Sequence, residues 1–168
     1  MSIREVLYAI EASAIGQATA GTLDGWSLLF PIMETIHVLC LAVTFGSIVL
    51  LDLRLLGLIS RDSPVSRLTK EVLPYTWTAF ICAVLSGSTL FTAHPVEYFF
   101  NLQFRLKFLC MFLAGINMLV FHSGAYRRVL SWDSLLPPPI AARVAGSVSI
   151  AMWLGVVVFG RWIGFTAY

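Results

Sequence analysis

Four long stretches of the chain carry no charged side chain, and short charged segments separate them. The uncharged stretches are residues 35–51, 72–96, 108–126 and 144–160. Each is close to the ~20 residues that a helix needs to cross a bilayer, or extends to that length through apolar flanks. The pattern predicts membrane-spanning helices over about 28–59, 72–94, 104–126 and 140–164. Because the loops between them are short, successive helices should pack as antiparallel neighbours.

Prolines mark several of these predicted boundaries. Pro31 and Pro74 suit the first turn of a helix, where the missing N–H has no intrahelical partner in any case. The run Pro137–Pro139 indicates a loop before the fourth span. The prolines therefore support three of the helix starts that the uncharged stretches predict.

Residues 1–24 show a different pattern, with apolar side chains on one helical face and charges interspersed. The apolar positions are Ile3, Val6, Leu7, Ile10 and Ala14. Ser2 and Glu5 have the spacing of a capping box. Glu5 and Glu11 interrupt what would be the apolar core of a signal peptide. This unit is predicted to be an amphipathic helix on the membrane surface, followed by a transmembrane bundle over residues 25–168.

The composition favours a lipid environment. Apolar residues make up 58% of the chain and charged residues only 12%, about half the charged share of a soluble domain. The mean hydropathy is +0.85. A net charge of +2 without a basic patch argues against binding to nucleic acid. Cys40, Cys82 and Cys110 all lie in apolar runs without CxxC spacing, so they indicate neither a disulfide framework nor a zinc site.

Charge asymmetry predicts the orientation of the four spans. Four basic residues fall on the side of the two termini, namely Arg4, Arg105, Lys107 and Arg161. Seven fall on the other side, namely Arg54, Arg61, Arg67, Lys70, Arg127, Arg128 and Arg143. By the positive-inside rule both termini are outside, which in a bacterial inner membrane is the periplasm.

All three histidines lie in or at the ends of the predicted spans. His37 and His94 are expected in the outer leaflet, on adjacent antiparallel helices, whereas His122 is expected near the inner face. Two histidines at one level on neighbouring helices are the arrangement that holds a b-type haem. The two levels match only if the first helix continues past Asp52 to about Ile59.

Two further residues suit a haem at this level. Gly87 lies seven positions before His94 on the same helix face, where a missing side chain leaves room for a flat macrocycle. Arg161 reaches the same outer level along the fourth span and can pair with a propionate.

A second polar group is predicted at the inner level. Asp52 and Arg54 would be submerged by a turn or two if the first helix continues, and His122 lies at a similar depth. Ionisable side chains at membrane depth are costly and indicate function. We expect Asp52 to pair with His122 or Arg54, as a proton site or as a structural ion pair.

Other chemistries fit some of the same residues. Met33, His37 and Cys40 fall at i, i+4 and i+7, which aligns soft ligands suited to copper(I) on one stripe. A third hypothesis is a non-catalytic subunit whose histidines are structural. The chain has no GxSxG, HExxH or glycine-rich phosphate loop, so catalysis by side chains alone is not indicated.

Several short motifs resemble an uncharacterised family of bacterial four-span membrane proteins. They are Glu34–His37, Gly46-Ser47, Asp52–Gly57, Asn101 with Phe104 and Lys107, Asn117 with Phe121-His122, and Gly160-Arg161. The stretch Asp-Leu-Arg-Leu-Leu-Gly at 52–57 is the most specific of them. The architecture is also similar to transmembrane b-type cytochromes and to the membrane protein of copper-resistance operons. The resemblance implies a fold and no established activity.

The sequence thus predicts an all-α integral membrane four-helix bundle with a short amphipathic N-terminal helix. It further predicts a haem b electron carrier rather than a self-contained enzyme, with His37 and His94 as axial ligands. A quinol or a periplasmic protein would be the redox partner. The fourth span carries small residues that suit helix association and a homo-oligomer, namely Gly146, Ser147, Ser149 and Gly155.

Overall fold

The computed structural model describes residues 2–59, 63–133 and 137–166, and every regular element in them is helical. Arg61, which belongs to the predicted inner basic set, lies outside the described residues. The elements are α1 (Ile3–Glu11), α2 (Ala14–Thr19), α3 (Leu29–Leu55), α4 (Val65–Phe91), α5 (Pro95–Phe100), α6 (Leu102–Ser123), a 3₁₀ segment (Ala125–Ser131) and α7 (Ile140–Thr166).

Helices α3, α6 and α7 are long and apolar enough to cross a membrane. Their outward surfaces are covered with exposed aliphatic and aromatic side chains, as expected for helices that face lipid. Helix α4 is 27 residues long, the same length as α3. Its sequence is more polar, because its first turns carry Arg67, Lys70 and Glu71.

The four long helices form two antiparallel pairs. In the first pair, His37 near the start of α3 contacts Ala83 late in α4. Ser47, further along α3, accepts a hydrogen bond from Thr76, which lies earlier in α4. In the second pair, α6 and α7 pack closely along their lengths. The predicted antiparallel packing of successive long helices is therefore seen within each pair.

Helices α3 and α7 join the two pairs, and Gly146 makes this contact close. A Cβ added at Gly146 would lie 3.1 Å from the main-chain oxygen of Asp52 and 3.4 Å from Cβ of Leu55. Gly155 plays a similar part between α7 and α6, where an added Cβ would lie 2.8 Å from Sγ of Cys110. Two of the small residues predicted to serve an oligomer thus pack against helices of their own chain.

Helix α3 continues past Asp52, as predicted, but it ends at Leu55 rather than near Ile59. The cause is Gly57, which adopts a left-handed backbone with φ of +74°. Its N–H bonds to the carbonyl of Arg54, and the following N–H of Leu58 bonds to the carbonyl of Leu53, which completes a C-terminal cap. The prediction of helix to residue 59 was wrong because it treated Gly57 as part of an apolar run.

Helix α4 begins at Val65, so Pro74 lies inside the helix and not in its first turn as predicted. Pro64 is the residue before the helix and marks the start instead. Pro74 cannot donate a hydrogen bond to the preceding turn. Its own carbonyl accepts from the hydroxyl of Thr78 at 2.9 Å.

The N-terminal segment is helical and carries the predicted capping box. The Ser2 hydroxyl accepts from the N–H of Glu5, and the Glu5 carboxylate accepts from the N–H of Ser2. Helix α1 ends at Glu11, and Ser13 caps the separate short helix α2. The location of this segment on a membrane surface stays a prediction.

Both ends of the described chain lie at one end of the bundle, which we call the α5 end. Arg4 of α1 stacks over the ring of Phe100 at 5.3 Å. The side-chain amide of Asn101 donates to the hydroxyl of Thr166 near the end of α7, at 3.0 Å. We call the opposite end, which holds the C-terminus of α3 and the 3₁₀ segment, the Arg54 end.

Replacing Gly146 by leucine should separate α3 from α7 and lower the free energy of unfolding by about 1–3 kcal/mol, the usual cost of overpacking. The matched control is Gly46→Leu, since a Cβ at Gly46 meets nothing within 4 Å. Thermal unfolding of the detergent-solubilised protein measures both. Equal stability of the two variants would contradict the proposed contact between α3 and α7.

Candidate functional site

The His37 imidazole is held between α3 and α4 in one tautomer. Its Nδ1 lies 2.8 Å from the carbonyl oxygen of Ala83 and 3.2 Å from the hydroxyl of Ser86. A carbonyl can only accept, so Nδ1 carries the hydrogen and donates it to Ala83. In the neutral ring, Nε2 therefore keeps its lone pair. A histidine fixed in this way by a backbone carbonyl has the tautomer and orientation of a metal ligand.

Gly87 provides the space that the His37 ring occupies. A Cβ added there would lie 2.7 Å from Cε1 and 3.1 Å from Nδ1 of His37. We predicted that the missing side chain would leave room for a macrocycle. In the structure the imidazole itself fills that space, so Gly87 seats the candidate ligand.

His94 lies at the same end of the bundle, beyond the end of α4. It is exposed and precedes α5, seven residues after Gly87, which corresponds to about 10 Å of helical rise. Its ring is next to Tyr98, with 6.4 Å between centroids. Burial, together with the nearby carboxylates of Glu97 and Glu34, raises the pKa of Tyr98. His37 and His94 make no contact with each other among the described residues.

Two cations lie toward the α5 end. Arg161 is exposed on α7, and its guanidinium stacks over Phe165 at 5.0 Å. Lys107 of α6 is half-buried. Its side chain lies next to Gly160 of α7, where an added Cβ would be in ordinary contact with Nζ at 3.7 Å. The sequence analysis uses Lys107 only in the charge count and in the family resemblance. Its position at the edge of an apolar run is the signal that indicates its depth in the bundle.

The predicted stripe of Met33, His37 and Cys40 lies along α3, and the neighbouring helix α4 carries Cys82. Cys40 and Cys82 are both free cysteines. Among the described residues there is no cluster of three or more His, Cys, Asp and Glu side chains suited to a metal ion.

A cavity of about 250 Å³ lies among α3, α4, α6 and α7 toward the Arg54 end. Its walls are mostly apolar and aromatic. The three residues predicted as an inner polar site, Asp52, Arg54 and His122, all line it, as does Asn117. The structure therefore brings together on one surface side chains that are far apart in sequence.

Two of these polar residues keep unused hydrogen-bonding capacity. Asp52 is only 6% exposed, and its Oδ2 has no hydrogen-bond partner within the described residues. Ser149 of α7 lines the same cavity. Nδ1 of His122 donates to the carbonyl of Met118 at 2.9 Å, which leaves Nε2 as an acceptor. No ion pair between Asp52 and His122 is seen among the described residues. The pairing of Asp52 with His122 or Arg54 stays a prediction.

Arg54 ties two loops together. Its Nε donates to the carbonyl of Ser63 at 3.0 Å, and its Nη2 donates to the carbonyl of Asp133 at 2.9 Å. The Asp133 carboxylate in turn accepts from the N–H and hydroxyl of Ser66 at the start of α4. Arg54 thus satisfies main-chain carbonyls of two loops at this end of the bundle. Arg54 and Asp133 are 79 positions apart, so no local sequence pattern indicates this role.

The fold and site define an all-helical protein with three helices suited to a membrane and polar side chains inside the bundle. The chain belongs to the family of unknown function DUF6644, whose model matches residues 10–166. The expectation of a family without an assigned activity is confirmed. Comparison with curated proteins and with solved structures gives no match.

Replacing Arg54 by methionine should lower the free energy of unfolding by at least about 1–3 kcal/mol, because buried carbonyls lose their donors. The control is Arg67→Met. Arg67 forms an ion pair with Glu71 that is 74% and 60% exposed, and such pairs are worth about 0–1 kcal/mol. Denaturant titration in detergent measures both variants. A loss at Arg67 as large as the loss at Arg54 would overturn the assigned role.

Proposed function

We propose that the protein is a membrane-embedded haem b protein that transfers single electrons near the outer face of the bacterial inner membrane. In this proposal α4 is the fourth span, because it matches α3 in length and packs against it along its course. Both termini are then periplasmic, following the charge asymmetry of the loops. A quinol or a periplasmic protein is the redox partner.

The observation that carries the proposal is the state of His37. Its Nδ1–H is committed to the Ala83 carbonyl, so Nε2 is the ligand atom. Ser86 and Gly87 hold the ring in place from the same helix. An imidazole positioned by its outer hydrogen bond loses little freedom on binding iron. The donor set at this position therefore fits an axial ligand of haem.

His94 supplies the second axial ligand in the proposal. It stands at the same end of the bundle, and its ring nitrogens make no hydrogen bond to any described residue. Arg161 and Lys107 are the cations that would pair with the propionates. Held by two histidines, the haem would supply one-electron transfer. The chain's own part is to orient the imidazole of His37 and to place His94 and the two cations at the same end of the bundle.

Absorption spectra of the purified protein, oxidised and dithionite-reduced, test this assignment. We expect a sharp reduced α-band with about one iron per chain. His37→Ala and His94→Ala should each remove the band, because each removes an axial nitrogen. His122→Ala is the matched control and should leave the spectrum unchanged.

Two outcomes would overturn the haem proposal. One is a featureless visible spectrum from haem-replete cells. The other is equal loss of the band in all three histidine variants, which would show that no particular pair ligates iron. Colourless, metal-free and monodisperse protein would favour a non-catalytic subunit with structural histidines.

We also propose a second candidate function, copper handling, in which Cys40 of α3 and Cys82 of α4 would be thiolate ligands. Copper(I) prefers thiolate and thioether ligands, and Met33 and His37 lie on the same stripe of α3 as Cys40. Competition with a copper(I) chelator would measure this. Cys40→Ser and Cys82→Ser should each weaken copper binding at least tenfold, whereas Cys110→Ser should not. Equal binding by all three variants would contradict the site.

A further inference from the structure

The cavity at the Arg54 end is separate from the His37 site and has the properties of a ligand site. Its volume of about 250 Å³ is just below the ~300–1,000 Å³ typical of pockets for drug-sized molecules. Trp77, Phe80, Trp153 and Phe121 contribute aromatic walls. The space suits one ring with small substituents, and any longer tail of such a molecule must lie outside.

We expect entry to the cavity from the side, between α4 and α6. Both helices line the cavity, and the rings of Phe91 and Phe104 stack between them at the α5 end, away from it. Each packs closely against a different partner, α4 against α3 and α6 against α7. If all four helices span the bilayer, this side faces the hydrocarbon core. A molecule that enters by this route must be soluble in lipid.

The polar groups on the walls specify the ligand further. Oδ2 of Asp52 lacks a partner among the described residues, and Nε2 of His122 is left as an acceptor. They come from different helices, α3 and α6. A buried carboxylate oxygen without a partner costs about 1–3 kcal/mol or more, which a hydroxyl of a ligand would recover. A ligand that donates from two edges of one ring matches both acceptors.

We propose that this cavity binds the ring of a lipid-soluble quinol or quinone, with Asp52 and His122 on its oxygen substituents. The quinol form donates from its two hydroxyls to both acceptors. The carbonyl oxygens of the quinone form only accept, so that form bonds to Asp52 when the carboxyl is protonated and to His122 only when Nε2 also carries a proton. This proposal gives the lipid-soluble redox partner of the proposed function a binding site. It rests on the proposed function only for the step in which electrons pass from the bound quinol to the haem. Binding itself requires neither haem nor copper.

Fluorescence of the protein prepared without haem provides the test, since Trp77 and Trp153 line the cavity. The probe is a short-chain benzoquinol, decylubiquinol, titrated without oxygen into detergent-solubilised protein. We expect saturable quenching that decylbenzene, which lacks the oxygens, does not compete away. Failure of the haem proposal would leave this result unaffected.

Gly115→Leu should weaken binding at least tenfold, because Gly115 lines the cavity and an added Cβ meets nothing within 4 Å. Gly46→Leu is the matched control, as it also adds a side chain in open space but does not line the cavity. Asp52→Asn and His122→Phe should each weaken binding about tenfold, the loss expected for one hydrogen bond to a charged or buried partner.

Non-saturable quenching, or equal quenching in Gly115→Leu and Gly46→Leu, would show partition into the micelle and overturn the site. If Gly115→Leu loses binding while Asp52→Asn and His122→Phe keep it, the ligand is an apolar chain and not a quinone. If Gly115→Leu does not fold, crosslinking of an azidoquinone to the unmodified protein decides. Labels on residues that line the cavity support the proposal, and labels only on other residues contradict it.

Discussion

The structure depends on how helix α3 satisfies its polar side chains inside an apolar bundle. A polar group in hydrocarbon has no water to bond to, so each one must find a partner in the protein or in a ligand. His37 meets this demand through the Ala83 carbonyl, and Arg54 meets it through the carbonyls of two loops. Oδ2 of Asp52 does not meet it within the described residues. These bonds set how α3 packs against α4, and the close approach at Gly146 sets how α3 packs against α7.

The same constraint separates the molecule into two chemical regions. At the α5 end, one imidazole is fixed with a free ligand nitrogen, and α6 and α7 place Lys107 and Arg161 at the same end of the bundle. At the Arg54 end, a hydrophobic cluster that includes Trp132 and Val129 adjoins a cavity with unused acceptors. An electron carrier needs both kinds of region, one for a redox centre and one for a partner that delivers or removes electrons. This is how the two proposals support each other.

Local patterns predicted the local structure well. The uncharged stretches indicated the long helices, and the capping box of Ser2 and Glu5 formed as expected, because both depend on neighbouring residues only. Helix ends were less accurate where one backbone conformation decided them, as at Gly57, or where a helix continued through Pro74. Predictions that depended on tertiary contacts differed most from the structure. The roles of Arg54 and Gly87 follow from contacts with residues distant in the chain, which no periodicity records.

The central claim is that His37 is one of two strong axial ligands to a haem iron. Electron paramagnetic resonance of the oxidised, unmodified protein addresses it most directly, because two strong nitrogen ligands make ferric haem low-spin. The account predicts a low-spin ferric signal in the wild-type protein that disappears in His37→Ala. A preparation from haem-replete cells with no ferric haem signal, or with a low-spin signal that survives the loss of His37, would contradict it.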